Sequence, residues 1–358
     1  MSLSTFTPAE AVELAVVERS GFVESRHLGS AVVLDPDGSP ALSLGSPTAP
    51  IFTRSSLKPL QALAAMSLGA DLTGTAAALA TASHRSEAGH VETVTAMLES
   101  AGLSADDLRC PSVHPADGAY RRSLAEAGDP ISPVHFNCSG KHAAFLRAAL
   151  AVGADTASYL DPAHPVQVRV AEVVAAFAEE TPPAVGTDGC GAPVFALSLT
   201  GLARAIGRVV GLGSAVPGSA TPGSVAPGLA DFADHARTLI EAVFAQPWAI
   251  EGHGRPNTTV IERLGVFAKG GAEGVIVMAT RDGHAVALKC LDGSSRATGL
   301  VALTLLRRAG ALPEVGDDEL AEVARLITEP VTGGTDSEGR TAVVGTVRVS
   351  EDAAGGGS

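Results

Sequence analysis

GVIVMATRDGHAVALKC, residues 274–290, is the stretch whose reading decides the fold. Two apolar runs rich in Val and Ala, 274–280 and 284–290, flank Asp282-Gly283, and that pattern predicts two antiparallel strands joined by a tight hairpin. AVVGTVRV at 342–349 adds a strand downstream. The same chemistry recurs at the other end of the chain, where a strand at 11–18 is followed by one at 29–35 that runs through Asp37-Gly38 into 41–45. Between these ends the period changes from two to helical. Ala and Leu recur at helical spacing over 57–68, 74–82, 87–101, 119–127, 139–152, 165–179, 197–211 and 229–245, which predicts eight helices. The terminal strands are too few and too short for two sheets. The expectation is therefore a two-lobed α/β protein: one largely antiparallel sheet built from both chain ends (about 1–55 and 250–350), flanked by a helical lobe (about 56–250). Residues 1–350 form a single domain in this reading and 351–358 a disordered tail. The Gly/Ser/Pro-dense segment 212–227 reads as a surface loop, with a lid as the alternative.

Composition narrows the function. The chain has 358 residues, of which 46% are hydrophobic, and a formal net charge of −14. That is ample material for a core, and the acidity together with scattered arginines argues against a nucleic-acid partner. The opening MSLSTFTPAE has neither a basic start nor an apolar stretch, and no segment reaches the roughly 18 apolar residues of a membrane span, so a cytoplasmic location without membrane contact is expected. Cys110, Cys138, Cys190 and Cys290 are spaced too irregularly for a disulfide framework. They read as buried thiols or metal ligands.

Of 25 Lys and Arg residues only four are lysine, at 58, 141, 269 and 289. Lysine can be neutral when desolvated, whereas guanidinium stays charged, so a chain that otherwise uses arginine keeps lysine where an amine must be able to lose its proton. In Arg54-Ser55-Ser56-Leu57-Lys58-Pro59 the first serine and the lysine lie three apart at the start of a predicted helix, and both emerge on one face. This is the SxxK arrangement of serine hydrolases that use no histidine base, and the helix N-terminus favours an oxyanion nearby. Ala82-Ser83-His84-Arg85-Ser86-Glu87 gathers polar groups after an apolar helix, as an active-site edge or as an ordinary cap. Asn137-Cys138-Ser139-Gly140-Lys141-His142 opens another helix, and Asp188-Gly189-Cys190-Gly191 is a glycine-bracketed turn. Cys138 and Cys190 could gather a zinc ion, with neutral Lys141 or Asp188 completing the set; metal-free buried thiols are the alternative. Lys269-Gly270-Gly271 leads into the 274–280 strand, and its glycines permit close backbone approach.

The order of these clusters resembles a known family. RSSLKPLQAL, SHRSEAGHV, FNCSGKHAAFL, TDGCGAPVFALSL, FAKGGAEGV and ALKCLDGSSRA, with VERSGFVESRHLGSAVVLDPDG near the start, are similar to the asparaginase II family of bacterial L-asparaginases typified by the Rhizobium etli enzymes, over about residues 13–348. The resemblance implies a serine β-lactamase/glutaminase-like fold, one catalytic domain and a homodimer. It also implies hydrolysis of L-asparagine to L-aspartate and ammonia through a Ser-Lys nucleophile and an acyl-enzyme. Carried over by position, Ser55 matches the nucleophile and Lys58 its base, and Ser83 with Lys269 matches a second Ser-Lys pair; which serine attacks stays open. Cys138, Lys141 and Cys190 match zinc ligands, while Arg54, His142 and Asp188 match residues lining the substrate pocket. Asn257 stands where an acidic residue is expected, which bears on substrate affinity. Lys289 acquires no role. The alternatives are an SxxK amidase acting on glutamine or a β-lactam, although the companion motifs SDN and KTG are absent, and a non-catalytic protein that binds an amino acid.

Overall fold

The computed structural model describes residues 4–128, 131–215 and 228–355. Most of the 212–227 segment and the last three residues lie outside that set. Eleven strands are described, β1 Val12–Arg19, β2 Phe22–Leu34, β3 Pro40–Leu44, β4 Pro50–Phe52, β5 Val185–Thr187, β6 Pro193–Ser198, β7 Phe267–Gly271, β8 Val275–Ala279, β9 Ala285–Cys290, β10 Val331–Thr335 and β11 Thr341–Val349. The helices are α1 Lys58–Ser67, α2 Gly74–Ala80, α3 Ala88–Glu99, α4 Gly118–Ala127, α5 Ser139–Ala151, α6 Pro165–Ala178, α7 Leu199–Ser214, α8 Ala233–Ala245, α9 Trp248–Glu251, α10 Pro256–Leu264, α11 Thr298–Arg308, α12 Asp317–Ile327 and α13 Glu351–Ala354.

The hairpin of β8 and β9 forms as the Asp282-Gly283 signal requires, with Val277 opposite Ala287. It sits in an antiparallel sheet of order β10-β11-β1-β2-β9-β8-β7, so both chain ends do build one sheet. β2 is long enough to pair with several strands. Its first half pairs with β1 and its second half with β3 and β9, and the changeover falls at Gly29. A Cβ there would meet the Lys289 carbonyl oxygen at 2.2 Å, so only glycine lets β9 approach. α7 covers one part of the sheet through β2, β8 and β9, and α11 packs on β8 and β9. The remaining helical lobe is assembled around α1, which touches α5, α6, α7 and α8; nine of its ten side chains are buried.

Three expectations need correction. The described residues make two sheets, not one: β4, β6 and β5 form a separate three-stranded sheet. PVFALS of β6 runs straight into α7 with no turn signal between them and so reads on into the helical run, while β4 and β5 are three residues each. The helix expected from 197 accordingly starts at Leu199. At the other end, residues 351–354 are not an open tail but a helical turn capped by the Ser350 hydroxyl, with Ala353 fully buried. Among the described residues no helix is long and apolar enough to cross a membrane.

The helices α2 and α5 bring distant parts of the chain together, because α2 leads into Ser83 and α5 opens on Cys138 and Lys141. They meet at Gly140, where a Cβ would lie 2.5 Å from the Leu79 carbonyl oxygen and 2.8 Å from its Cγ. Gly140→Ala is therefore expected to destabilise the protein by about 2 kcal/mol through overpacking, read as a lower denaturation midpoint in urea.

Candidate active site

β4 delivers the chain into a 3-10 turn, Arg54–Leu57, that runs directly into α1. The turn is pinned to the small sheet: Thr53 donates to the Phe195 carbonyl from both its backbone N–H (3.2 Å) and its hydroxyl (3.0 Å). Ser56 Oγ donates back to the Thr53 carbonyl at 2.6 Å. Arg54 itself has φ +51°, a left-handed conformation costing a non-glycine residue about 1 kcal/mol. Its guanidinium is held by Asp188, Nε to Oδ1 at 2.8 Å, and more loosely by Glu273 at 3.7 Å. The strained residue thus sits immediately before Ser55 and is fixed by an ion pair. Across from it, β7 packs on the turn through Gly271, whose missing side chain leaves room for the Thr53 carbonyl and the Ser56 amide.

All four lysines are buried, with exposures of 0% for Lys58, 2% for Lys141, 1% for Lys269 and 9% for Lys289, and no arginine joins them in the buried set. Two converge on one hydroxyl. Lys269 Nζ donates to Ser83 Oγ at 2.8 Å, and Lys58 Nζ donates to the same oxygen at 3.1 Å. Lys58 also donates to the Ala82 carbonyl and Lys269 to the Gly270 carbonyl. Ser83 is held by its own backbone, its N–H on the Ile250 carbonyl at 2.9 Å. The geometry differs from two separate Ser-Lys pairs: the Lys58 amine reaches past Ser55 to Ser83. Ser55 Oγ makes no hydrogen bond to protein among the described residues. Burial pushes the Lys269 amine down from 10.5 to about 7, and repulsion from Lys58 acts in the same direction.

Ser55, Ser83 and Lys269 border a cleft of about 780 Å³, well within the size of small-molecule sites. Glu251, Arg255 and Asn257 also border the cleft, with Glu251 and Asn257 next to Lys269 and Gly270; of the three only Asn257 stood out in the sequence. Glu251 Oε2 accepts from the Asn257 backbone at 3.0 Å and from its side chain at 2.9 Å, and Arg255 Nε lies 3.8 Å from Glu251 Oε1. His84 also borders the cleft. Burial, aided by His90 and Lys58, holds its pKa well below the ordinary value. Its Nδ1 accepts from the Ser86 N–H, so its Nε2–H donates to Ser139 Oγ at 2.9 Å and the ring is a neutral strut between loop and α5. The signal in sequence was EGHGRPN, a polar Gly-rich run between two helices; nothing local says that it faces Ser83.

The thiols and Lys141 meet next to this centre. The hairpin of β5 and β6 closes at Asp188, whose N–H donates to the Ala192 carbonyl, with Gly191 at φ +86°; this places Cys190 so that Lys141 Nζ donates to its sulfur at 3.1 Å. Hydrogen bonding with Cys190 holds the Cys138 thiol well below its ordinary value, against its burial, and the charges of Lys58 and Lys141 help; Cys190 is correspondingly raised. Burial opposes the Lys141 charge, but Cys190 and Cys138 outweigh it and the amine is raised. Among the described residues no group of three or more His, Cys, Asp and Glu side chains is placed to hold a metal ion. Two thiols and an amine lie together here, and to act as metal ligands the raised amine and a thiol would both have to release protons.

The other expected residues stand back from the cleft. Asp188 is 10% exposed at its side chain; burial raises its carboxyl, but the Gly189 N–H, Lys141 and Arg54 together bring it below the ordinary value. Neither Asp188 nor Arg54 borders the cleft, although both adjoin its residues. His142 does not border it either: the ring is fully buried and its Nδ1 is 2.6 Å from Tyr159 Oη.

Comparison with known proteins bears on this geometry. A family model described as L-asparaginase II matches residues 15–348. No curated protein matches. Among solved structures, one described as Mglu is 13% identical, with a TM-score of 0.40 and coverage of 81% of this chain and 68% of that one. Mglu in its native form gives 14%, 0.41, 81% and 66%. A Bacillus glutaminase determined in 4.3 M NaCl gives 16%, 0.35, 79% and 91%.

Proposed function

This chain belongs to the L-asparaginase II family, and from that premise we propose that it hydrolyses L-asparagine to L-aspartate and ammonia through an acyl-enzyme on Ser55. The coarser statement, an amidohydrolase, follows from the family. The observation that carries the finer one is the Ser83 hydroxyl held between two buried amines, beside a serine whose own hydroxyl is unengaged and open to the cleft.

Ser55 stands at the start of α1, where unpaired N–H groups favour developing negative charge. In the proposed reaction its Oγ attacks the side-chain amide carbon, forming the C–O bond. The proton passes to Lys58, which hands one on through Ser83 to Lys269. Ser83, bonded to both amines, is suited to relaying a proton rather than to attacking. Lys269, brought to about 7, is near the value that makes a group both available as a base and able to return the proton. That proton goes back along the relay to the departing nitrogen, the C–N bond breaks and ammonia leaves. Water then attacks the ester with the same groups as base, releasing aspartate and restoring Ser55. Glu251 and Arg255, which also border the cleft, offer a carboxylate and a guanidinium to the zwitterionic head of a free amino acid. Arg54 and Asp188 act here by fixing the turn that carries Ser55.

Cys138, Cys190 and Lys141 would hold zinc in this reading. Bound zinc supplies a Lewis-acidic centre beside the lysine pair. Elemental analysis is expected to find about one zinc per chain in the purified protein and none in Cys190→Ala; no zinc in either removes the site. The reading also includes a cytoplasmic location and a homodimer, the latter checked by light scattering.

Because the neutral form of Lys269 is the active one, kcat/KM is expected to rise with pH through about 7 and to level above it. In Lys269→Arg, where the group stays charged, that ascending limb should vanish along with most of the activity. A profile flat from pH 5 to pH 9 in the unmodified enzyme would remove Lys269 as the base. The substrate assignment is tested by ammonia release from L-asparagine and L-glutamine and by opening of a chromogenic β-lactam. Asparagine should be preferred; release from glutamine alone would move the protein to the glutaminase reading, which the size of the cleft also permits, and no turnover of any of the three would leave an amino-acid-binding protein.

A further inference from the structure

Lys289 takes no part in the relay, yet it is 9% exposed and carries the same desolvation problem as the other lysines. Its Nζ donates to the Glu273 carbonyl at 2.7 Å and to the Cys290 carbonyl at 3.3 Å. An ammonium has three donors, and the third finds no acceptor among the described residues. No carboxylate lies within ion-pair distance among them: the nearby Glu273 side chain turns instead to Arg54 and is 67% exposed. Burial lowers the Lys289 pKa; the charges of Glu273, Cys290 and Asp292 pull it back without overcoming the burial, and Arg54 adds to the lowering. Buried charges in proteins are ordinarily paired. This one faces a cavity.

The cavity, about 290 Å³, lies between β4, the β5-β6 hairpin and the turn joining β7 to β8. Lys289 and Arg54 bring positive charge to it, and Ile51, Phe52, Ala184 and Ala196 give it an apolar wall. Thr5, at its margin, has a buried hydroxyl without a protein partner among the described residues. It shares no lining residue with the catalytic cleft. Gly271 and Ala272 border the cleft, and Glu273, one residue on, borders the cavity.

We propose that this cavity binds a small amphipathic monocarboxylate, with its carboxylate on Lys289 and Arg54 and its hydrocarbon body along Ile51, Phe52 and Ala184. The ligand supplies the missing counter-charge and covers the apolar wall, which neither a phosphate nor a neutral hydrocarbon would do together. Since Arg54 also grips Asp188 and precedes Ser55, occupancy is expected to alter turnover; that consequence, unlike binding itself, rests on the amidohydrolase reading.

The test is isothermal titration of the full chain with 4-methylpentanoate, with 4-methylpentan-1-ol as the neutral counterpart. The carboxylate is expected to bind with a Kd on the order of 1 mM, as its few heavy atoms allow. The alcohol should bind at least about tenfold more weakly, in line with the loss of a charge-assisted contact. Lys289→Met should lose a similar factor. Ala184→Leu, a half-exposed position at the hairpin edge whose larger side chain fills the cavity, should do so without touching the buried lysine and serves if Lys289→Met folds poorly. Saturating L-aspartate should leave binding unchanged. Absence of binding to the unmodified chain at millimolar concentration, equal binding of carboxylate and alcohol, unaltered binding in Ala184→Leu, or displacement by aspartate would each overturn the proposal.

Discussion

Ser55→Ala is expected to lower kcat/KM for asparagine by roughly ten-thousand-fold or more, the scale seen when a hydrolase loses its nucleophile. Ser83→Ala should lower it by about a hundred- to a thousand-fold, the contribution of a positioned proton transfer. The two serines are 28 positions apart in sequence yet border the same cleft, so size of effect alone is a coarse discriminator. Partial rescue is sharper. In Ser83→Ala the gap between Lys58 and Lys269 leaves space for a water, which can carry a proton between the amines; the residual activity should then show a larger solvent isotope effect and retain the ascending pH limb. In Ser55→Ala no water can replace an atom that must form the ester. If Ser83→Ala is the more damaging change and Ser55→Ala keeps near-normal ammonia release, the roles of the two serines are reversed.

Lys269→Met should abolish most activity while making the protein more stable, and the stability gain should depend on pH. The unfolded chain holds the Lys269 proton up to about 10.5, whereas the folded protein gives it up at about 7. Between those values the unfolded state binds more protons, so stability rises with pH through this window and the full penalty of the buried charge is felt below about 7. At about 1.4 kcal/mol per unit the penalty approaches 5 kcal/mol, and losing the bonds to Ser83 Oγ and the Gly270 carbonyl returns part of it. A methionine of similar length carries no charge. The variant is therefore expected to be more stable by on the order of 3 kcal/mol at pH 6, with the difference shrinking towards pH 10, as urea titrations at the two ends would show. A loss of stability at pH 6 would mean that the ammonium is well compensated in place and that its proton is not easily moved. A gain in stability paired with a loss of activity is the signature of a group kept for chemistry.

Much of this site was legible because its parts announce themselves locally. The scarcity of lysine pointed to amines able to lose a proton; all four are buried, with Lys269 and Lys289 lowered but Lys141 raised. The Asp-Gly hairpins and the apolar runs beside them gave the main sheet, and the Gly-rich turn at Asp188–Cys190 was visible for what it is. What local pattern could not give was partnership at a distance. SxxK spacing placed Ser55 and Lys58 on one face, but the amine of a buried lysine goes where acceptors are, and those are Ser83 and the Ala82 carbonyl on the loop after α2. The family resemblance implied His142 as a pocket residue, but its turn on α5 points it at Tyr159. The second sheet was invisible because its central strand runs directly into α7 and its outer strands are three residues each, and Lys289 looked idle because its surroundings, the Phe52 strand and the 183–196 hairpin, are far from it in sequence.

In the proposed reaction an ester on Ser55 is the intermediate on which the rest of the chemistry depends. Enzyme turning over L-asparagine, quenched in acid and digested, should yield the 54–58 peptide carrying an aspartyl ester on Ser55, with the 83–85 region unmodified and no ester formed by Ser55→Ala. An ester on Ser83, or steady ammonia release with no ester on either serine, would contradict it.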